Sequence, residues 1–144
     1  MNRMKFLRGA SAACAAVLLA ASARAEVVVI VARDNPLSAL SAEQVAQIYM
    51  GASNAFPGGA AARPVDQPEG SAVREEFLAR VLEKNAAQFK AVWSRLIFSG
   101  KGNKPRTVAG SAEVKKAVAT DPSALGFIER AALDDSVKAV LSVK

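Results

Sequence analysis

Histidine is absent from this chain of 144 residues, and cysteine occurs once, as Cys14. Cys14 lies in an apolar N-terminal run that we expect to be removed, so the remaining protein has no thiol and no imidazole. Without these groups, disulfides, thiol chemistry, histidine bases and most zinc or copper sites are excluded. We therefore expect no metal site and no cofactor.

The N-terminal residues 1–25 have the pattern of a secretory signal peptide. Basic residues precede an Ala/Val/Leu-rich run, which ends at the small-residue pattern Ala23-Arg24-Ala25. This pattern predicts export to the periplasm and cleavage before Glu26, leaving residues 26–144 as one folded domain. The alternative is a membrane anchor, but the run is shorter than the roughly 20 apolar residues that a membrane span needs.

The net charge of +6 belongs mostly to this leader. Removing its four basic residues and no acids leaves 15 bases against 13 acids, which is a net charge of +2. A balance this close to neutral lacks the broad basic field that supports nucleic-acid binding, so we expect no nucleic-acid partner. The length that remains suits a single domain with its own hydrophobic core.

Strand and helix patterns alternate along residues 26–144 and predict an α/β fold, a mixed sheet flanked by helices. Residues 27–31 are a continuous Val/Ile run, typical of a strand buried on both faces. Ser41 and Gln44 match a capping box at the start of a helix. Strands are expected at 26–32, 63–67, 107–109, 125–128 and 137–143, and helices carry the apolar positions of 45–49, 73–82, 89–97 and 114–118.

Few aromatic residues are present, and their positions suggest structural roles. Trp93 shares the apolar stripe of its helix with Leu96 and Ile97, so we expect it in the core. Tyr49 and Phe56 flank a loop, where they suit either the core edge or a contact surface.

The stretch 65–74 predicts the end of a strand, a Gly/Ser turn and the first turn of a helix. Such a junction directs unpaired N–H groups and the positive end of the helix dipole at one place, where a small anion binds. The candidate ligand-binding residues are Gly70, Ser71, Ala72, Val73 and Arg74. Phosphate and sulfate suit this set because both present several acceptor oxygens. In the alternative interpretation, Ser71 only caps its helix and Arg74 is a solvated surface charge.

Catalysis by the same turn is a weaker hypothesis. Ser71 is placed like the nucleophile of a hydrolase, but the two-glycine frame of a nucleophile elbow is missing and no histidine can act as its base. The nearby acids Asp66, Glu69, Glu75 and Glu76 are explained more simply by the helix dipole than as an acid/base pair. We expect no enzymatic activity. A basic loop with Lys101, Lys104 and Arg106 either steers an anion or is merely solvated.

Several motifs, in the same order along the chain, resemble the periplasmic phosphate-binding proteins of ABC transporters. They are Asn35-Pro36, Leu40-Ser41, the stretch 65–71 with Phe77, residues 98–102, and residues 125–129. The resemblance implies the type 2 periplasmic-binding-protein fold (a PBP-like domain). It covers only one lobe, since a complete member is more than twice as long and grips phosphate between two lobes.

The resemblance also bears on the turn, where the family motif has the form Arg-Ser-Asp-Gly-Ser-Gly-Thr and this chain has residues 67–73. Gly70 and Ser71 keep the family's residues. Gln67 stands where the resemblance implies a ligand-binding arginine, and Val73 stands where it implies a threonine hydroxyl. Arg74 carries a charge that could replace the arginine, but on a helix it points about 100° away from the threonine position.

Two functions follow from these observations. The first is an exported solute-binding protein that takes phosphate or a similar oxyanion for ABC-type uptake or for sensing. The second is a ligand-free interaction module that docks onto a sensor receptor, porin or transporter, and Gln67 and Val73 favour it. In either case a homodimer or a membrane partner could supply the missing wall of the cleft.

Overall fold

The computed structural model describes residues 26–144, so the expected signal peptide and its cleavage site lie outside the described residues. Within that range no helix is both long and apolar enough to cross a membrane. The elements are β1 (Val27–Ala32), α1 (Ala42–Tyr49), β2 (Arg63–Asp66), α2 (Ala72–Phe77), α3 (Ala86–Phe98), β3 (Arg106–Thr107), α4 (Ser111–Thr120), β4 (Ala124–Glu129) and β5 (Val137–Val143). A π-helical segment (Leu78–Leu82) continues α2, and a short 3-10 turn (Arg130–Ala132) follows β4.

The five strands form one mixed sheet in the order β3-β2-β4-β1-β5. Strand β2 runs parallel to β3 and β4, whereas β1 runs antiparallel to β4 and β5. The predicted mixed α/β fold is confirmed. The carboxyl ends of β2, β3 and β4 therefore lie at one edge of the sheet, the edge at which open α/β sheets bind ligands.

Strand β1 is fully covered because helices pack on both sheet faces. On one face, Val27, Val29 and Val31 contact the cluster of α1, α2, the π segment and α3. On the other, Val28 and Ile30 contact α4. The continuous Val/Ile run thus has the doubly buried position that its composition predicts.

Aromatic stacking joins α1, α2 and β4 on the first face. The rings of Phe77 and Phe127 stack with centroids 4.1 Å apart, and Tyr49 meets Phe77 edge-on at 4.7 Å. The Tyr49 hydroxyl donates a hydrogen bond to the Val65 carbonyl at 2.7 Å, and burial raises the pKa of Tyr49 well above its ordinary value. The sequence allowed either the core edge or a contact surface for Tyr49 and Phe56. Both residues are buried in the core.

Two local predictions need correction. The helix expected through residues 73–82 changes from α to π at Leu78, and this wider segment ends at Glu83 in the left-handed conformation. Phe77, Leu78, Val81 and Leu82 are all buried in the core. On α3, Trp93 is buried as predicted, but Ile97, next to the last residue of the helix, is 53% exposed.

Candidate anion-binding turn

The Gly70–Ser71 turn connects β2 to α2 at the carboxyl edge of the parallel strands. Gly70 has φ +88°, a left-handed conformation that glycine adopts without strain, and Ser71 is the N-cap of α2. The Ser71 Oγ accepts a hydrogen bond from the Arg74 N–H at 3.3 Å, so the serine is a helix cap. Its role as a cap uses a lone pair and leaves the hydroxyl proton free.

The backbone N–H groups of this turn are only partly available. The Ser71 N–H donates to the Pro68 carbonyl at 3.1 Å, and the Arg74 N–H is taken by the cap. Ala72 and Val73 are the first two residues of the helix, where an N–H has no intrahelical acceptor. Together with the Gly70 N–H and the Ser71 hydroxyl, they are the donors that remain for an anion.

Arg74 is buried, unlike the solvated surface charge of the alternative interpretation. It is only 7% exposed. Its Nε and Nη2 atoms donate to the two carboxylate oxygens of Asp66 at 3.0 and 3.1 Å. The guanidinium also lies 5.3 Å from the ring centroid of Phe89. Its charge is thus neutralised inside the protein by a bidentate partner.

The side chain of Gln67, at the position of the family's arginine, is also hydrogen-bonded to other residues of the protein. Its side-chain amide donates to the Phe127 carbonyl at 2.9 Å and to the Ser111 Oγ at 3.3 Å. Ser111 is the first residue of α4, so Gln67, which follows β2, links the end of that strand to the N-terminal end of α4 and to β4. Among residues 26–144, no buried side-chain nitrogen or oxygen lacks a hydrogen-bond partner.

The surroundings of the turn are open and carry acids. Glu69 and Glu75 are exposed on either side of Ser71. Three cavities in the described part of the chain, of about 450, 440 and 270 Å³, are lined by other residues. An anion at Ser71 would therefore remain largely hydrated, in a field that these carboxylates make less favourable.

Sequence reasoning missed the Asp66–Arg74 pair and the second helix end at Ser111. Asp66 and Arg74 belong to no local pattern, because the pair depends on how α2 packs against β2. For Ser111 a signal was present: Gly110-Ser111 before a helix repeats the arrangement of Gly70-Ser71. As for catalysis, within residues 26–144 the only hydrogen bond of the Ser71 hydroxyl is with the Arg74 N–H.

No protein-family profile and no curated protein sequence matches this chain. Solved structures do match. A protein from Clostridium perfringens described as a phosphate ABC transporter substrate-binding protein, solved with bound phosphate, is similar with a TM-score of 0.65 and 24% identity. An ABC-type phosphate transport receptor from Vibrio cholerae has a TM-score of 0.57 and 21% identity, and PstS from Borrelia burgdorferi has 0.61 and 12%.

Each of these matches covers 81% of this chain but only 45%, 46% and 47% of the respective neighbour. The chain thus spans less than half the length of the structures it resembles. Identities this low show a shared fold and leave the ligand open. The fold implied by the resemblance is confirmed: this chain has the fold of one lobe of the phosphate-binding proteins of ABC transporters.

Proposed function

We propose that this protein is an exported, periplasmic solute-binding protein that binds phosphate or a similar oxyanion weakly at the Gly70–Ser71 turn. The observation that supports the proposal is the set of free donors at the carboxyl edge of the parallel strands: the N–H groups of Gly70, Ala72 and Val73 and the Ser71 hydroxyl. The neighbours named for phosphate transport share this fold. The protein would serve ABC-type uptake or sensing and would catalyse no reaction.

Arg74 enters this proposal as a charge beneath the turn, and Asp66 offsets it. Without an unpaired cation or an enclosing second wall, the donors hold the anion in contact with water. We therefore expect a dissociation constant in the millimolar range, about −4 kcal/mol. A transporter subunit or a second copy of the chain would raise the affinity by covering the open side.

A thermal-shift titration with phosphate, against sulfate and chloride at matched ionic strength, tests the proposal. The informative variant is Ala72→Pro, because proline at the first helical position removes one free N–H while its φ suits the helix. Ser71 already has the extended conformation that a residue before proline requires, with φ −64° and ψ 132°. We expect a saturable rise in melting temperature with phosphate that is lost in Ala72→Pro.

Ala42→Pro is the matched control. It makes the same change after another serine cap, Ser41, whose φ of −76° and ψ of 158° are equally compatible with proline. Phosphate at about a hundred times its dissociation constant should stabilise the fold by roughly 2.7 kcal/mol in the wild type and in this control. An absence of any shift up to tens of millimolar phosphate, or an equal shift in Ala72→Pro, would rule out the turn as an oxyanion site.

Two observations favour a second candidate, the interaction module that docks onto a sensor receptor, porin or transporter. The Arg74 charge is already paired with Asp66, and the end of α3 presents Phe98 with 95% of its surface exposed beside the half-exposed Ile97. A large exposed apolar pair of this kind is typical of a contact surface. If the contact is with a second copy of the chain, sedimentation velocity should show a dimer for the wild type and a monomer for Phe98→Ser. Adding phosphate should not change the sedimentation coefficient of either protein.

A further inference from the structure

A cavity of about 450 Å³ lies at the start of β2, away from the Gly70–Ser71 turn at its end. Its walls are the segment between α1 and β2 on one side and the loop between α3 and β3 on the other. The size is within the range of about 300–1,000 Å³ that is usual for small-molecule sites. None of the residues proposed to hold an oxyanion lines it.

The apolar part of the lining, here called the floor, consists of Ile48, Ala61, Ala62 and Pro64 and of the indole of Trp93, which is only 3% exposed. The indole N–H donates to the Tyr49 carbonyl at 2.9 Å, which fixes the ring and leaves no polar atom to face the cavity. Gly51 and Gly102 approach the six-membered ring, since a Cβ added to them would lie 3.2 and 3.7 Å from it. Both glycines have left-handed φ values, of +76° and +78°, so the two loops fold closely around the ring.

The rim carries positive charge. Arg63, Lys104 and Arg106 are exposed lining residues, and no acidic residue lines the cavity. Within residues 26–144, Lys104 and Arg106 form no ion pair, and Arg63 is 4.0 Å from Asp121 with three quarters of its side chain exposed. Three cations around an apolar floor attract anions and concentrate them at the opening.

We propose that this cavity binds a small organic anion in which a carboxylate, sulfonate or phosphate group is attached to a flat apolar ring. The ring would lie against this apolar floor, and the acidic group would face Lys104 and Arg106. Exposed cations alone bind an anion weakly, and an open apolar floor alone binds a neutral ring weakly. The site should therefore select ligands that combine both parts. This proposal stands apart from the oxyanion site.

Trp93 is the only tryptophan of the chain, so its fluorescence reports on the cavity directly. The probe is anilinonaphthalenesulfonate, an aromatic sulfonate that fluoresces when bound and accepts energy from tryptophan. Titration into the purified protein should show one saturable site with quenching of Trp93. The uncharged analogue phenylnaphthylamine should bind more weakly.

The variant Lys104→Gln/Arg106→Gln should weaken binding of the sulfonate about tenfold, the expected sum for two exposed charges. The control Lys116→Gln/Lys144→Gln removes the same net charge from exposed positions that do not line the cavity and should bind like the wild type. Ala72→Pro should also bind like the wild type, which separates this site from the oxyanion turn. Circular dichroism confirms that each variant is folded.

Equal affinity for the neutral analogue, or unchanged affinity in Lys104→Gln/Arg106→Gln, would overturn the proposal. Binding at several equivalent sites without quenching of Trp93 would overturn it as well, because the probe would then be adsorbing elsewhere.

Discussion

At the scale of single residues, Asp66 and Arg74 form a buried ion pair next to the candidate site. Asp66 accepts hydrogen bonds from the Gln67 N–H, at 2.8 Å, and from two nitrogens of Arg74. The side chain of Asp66 is only 3% exposed and that of Arg74 only 8%. A carboxylate of the protein itself therefore neutralises the guanidinium of Arg74.

Replacing Asp66 with asparagine should destabilise the protein strongly. The substitution leaves the buried Arg74 without a counter-charge, and breaking a buried pair in this way typically costs about 3–5 kcal/mol. Urea unfolding of Asp66→Asn measures the loss.

The matched control is Glu76→Gln, which removes the carboxylate of the partly exposed Glu76–Arg80 pair. A helical i,i+4 pair of this kind is worth about 0.3–0.5 kcal/mol. If Asp66→Asn costs no more than Glu76→Gln, the buried pair does not contribute as the geometry indicates.

At the scale of the elements, α4 packs closely against β4 on the second face of the sheet. Gly126 in β4 lies directly beneath α4, and a Cβ at this position would be 2.4 Å from the Val114 Cγ1 and 3.2 Å from the Val118 Cγ2. The absence of a side chain lets the helix approach the strand, and this approach helps to place Ser111 within reach of Gln67. Packing on this face thus shapes the carboxyl edge.

Gly126→Ala should therefore destabilise the fold by about 1–3 kcal/mol, the usual cost of an extra methyl in a well-packed core. Combining it with Val114→Ala should recover part of that cost, because the smaller side chain leaves room for the new methyl. A double-mutant cycle of urea unfolding energies measures the coupling. Additive costs would show that α4 and β4 pack less closely than these distances indicate.

At the scale of the whole molecule, β1 ties the two helical layers together. Successive residues of β1 belong alternately to the two core clusters, and the strand pairs with β4 and β5. The two faces therefore share a strand, and neither is complete without it. This arrangement is typical of one cooperative folding unit.

We expect the purified protein to unfold in urea in a single transition. The fluorescence of Trp93 reports on the first helical layer, whereas far-ultraviolet circular dichroism reports on all helices. Because β1 couples the layers, the two signals should give the same midpoint. An earlier midpoint for Trp93 would indicate that α3, whose buried residues are Phe89 and Trp93, detaches before the rest.

Much of the fold could be predicted because its information is local. The capping box of Ser41 and Gln44 is present with both hydrogen bonds, at 3.1 and 2.9 Å. The doubly buried Val/Ile strand and the buried Trp93 are confirmed. The change from α to π at Leu78 was not predicted, because the spacing of Phe77, Leu78, Val81 and Leu82 also fits one face of a regular α-helix.

The candidate site was less predictable than the fold. Gly70 and Ser71 follow from the residues, since left-handed glycine and a serine cap are local preferences. The burial of Arg74 and its pairing with Asp66 do not follow from the local sequence, because the same neighbouring residues would surround a solvated arginine. That the ligand-binding residues 70–74 hold an oxyanion stays a prediction.

Composition alone excluded histidine chemistry and an internal disulfide, since the chain has no histidine and one cysteine, and local spacing predicted a mixed α/β domain with a Gly/Ser turn and a helix after β2. Those properties depend on residue types and on neighbours within one or two turns. The pairing of Arg74 with Asp66, the bridge from Gln67 to Ser111 and the basic cavity over Trp93 arise only when distant segments pack together. Charge and solvation depend on that packing, because burial determines whether a polar group meets water, a ligand or another group of the same chain.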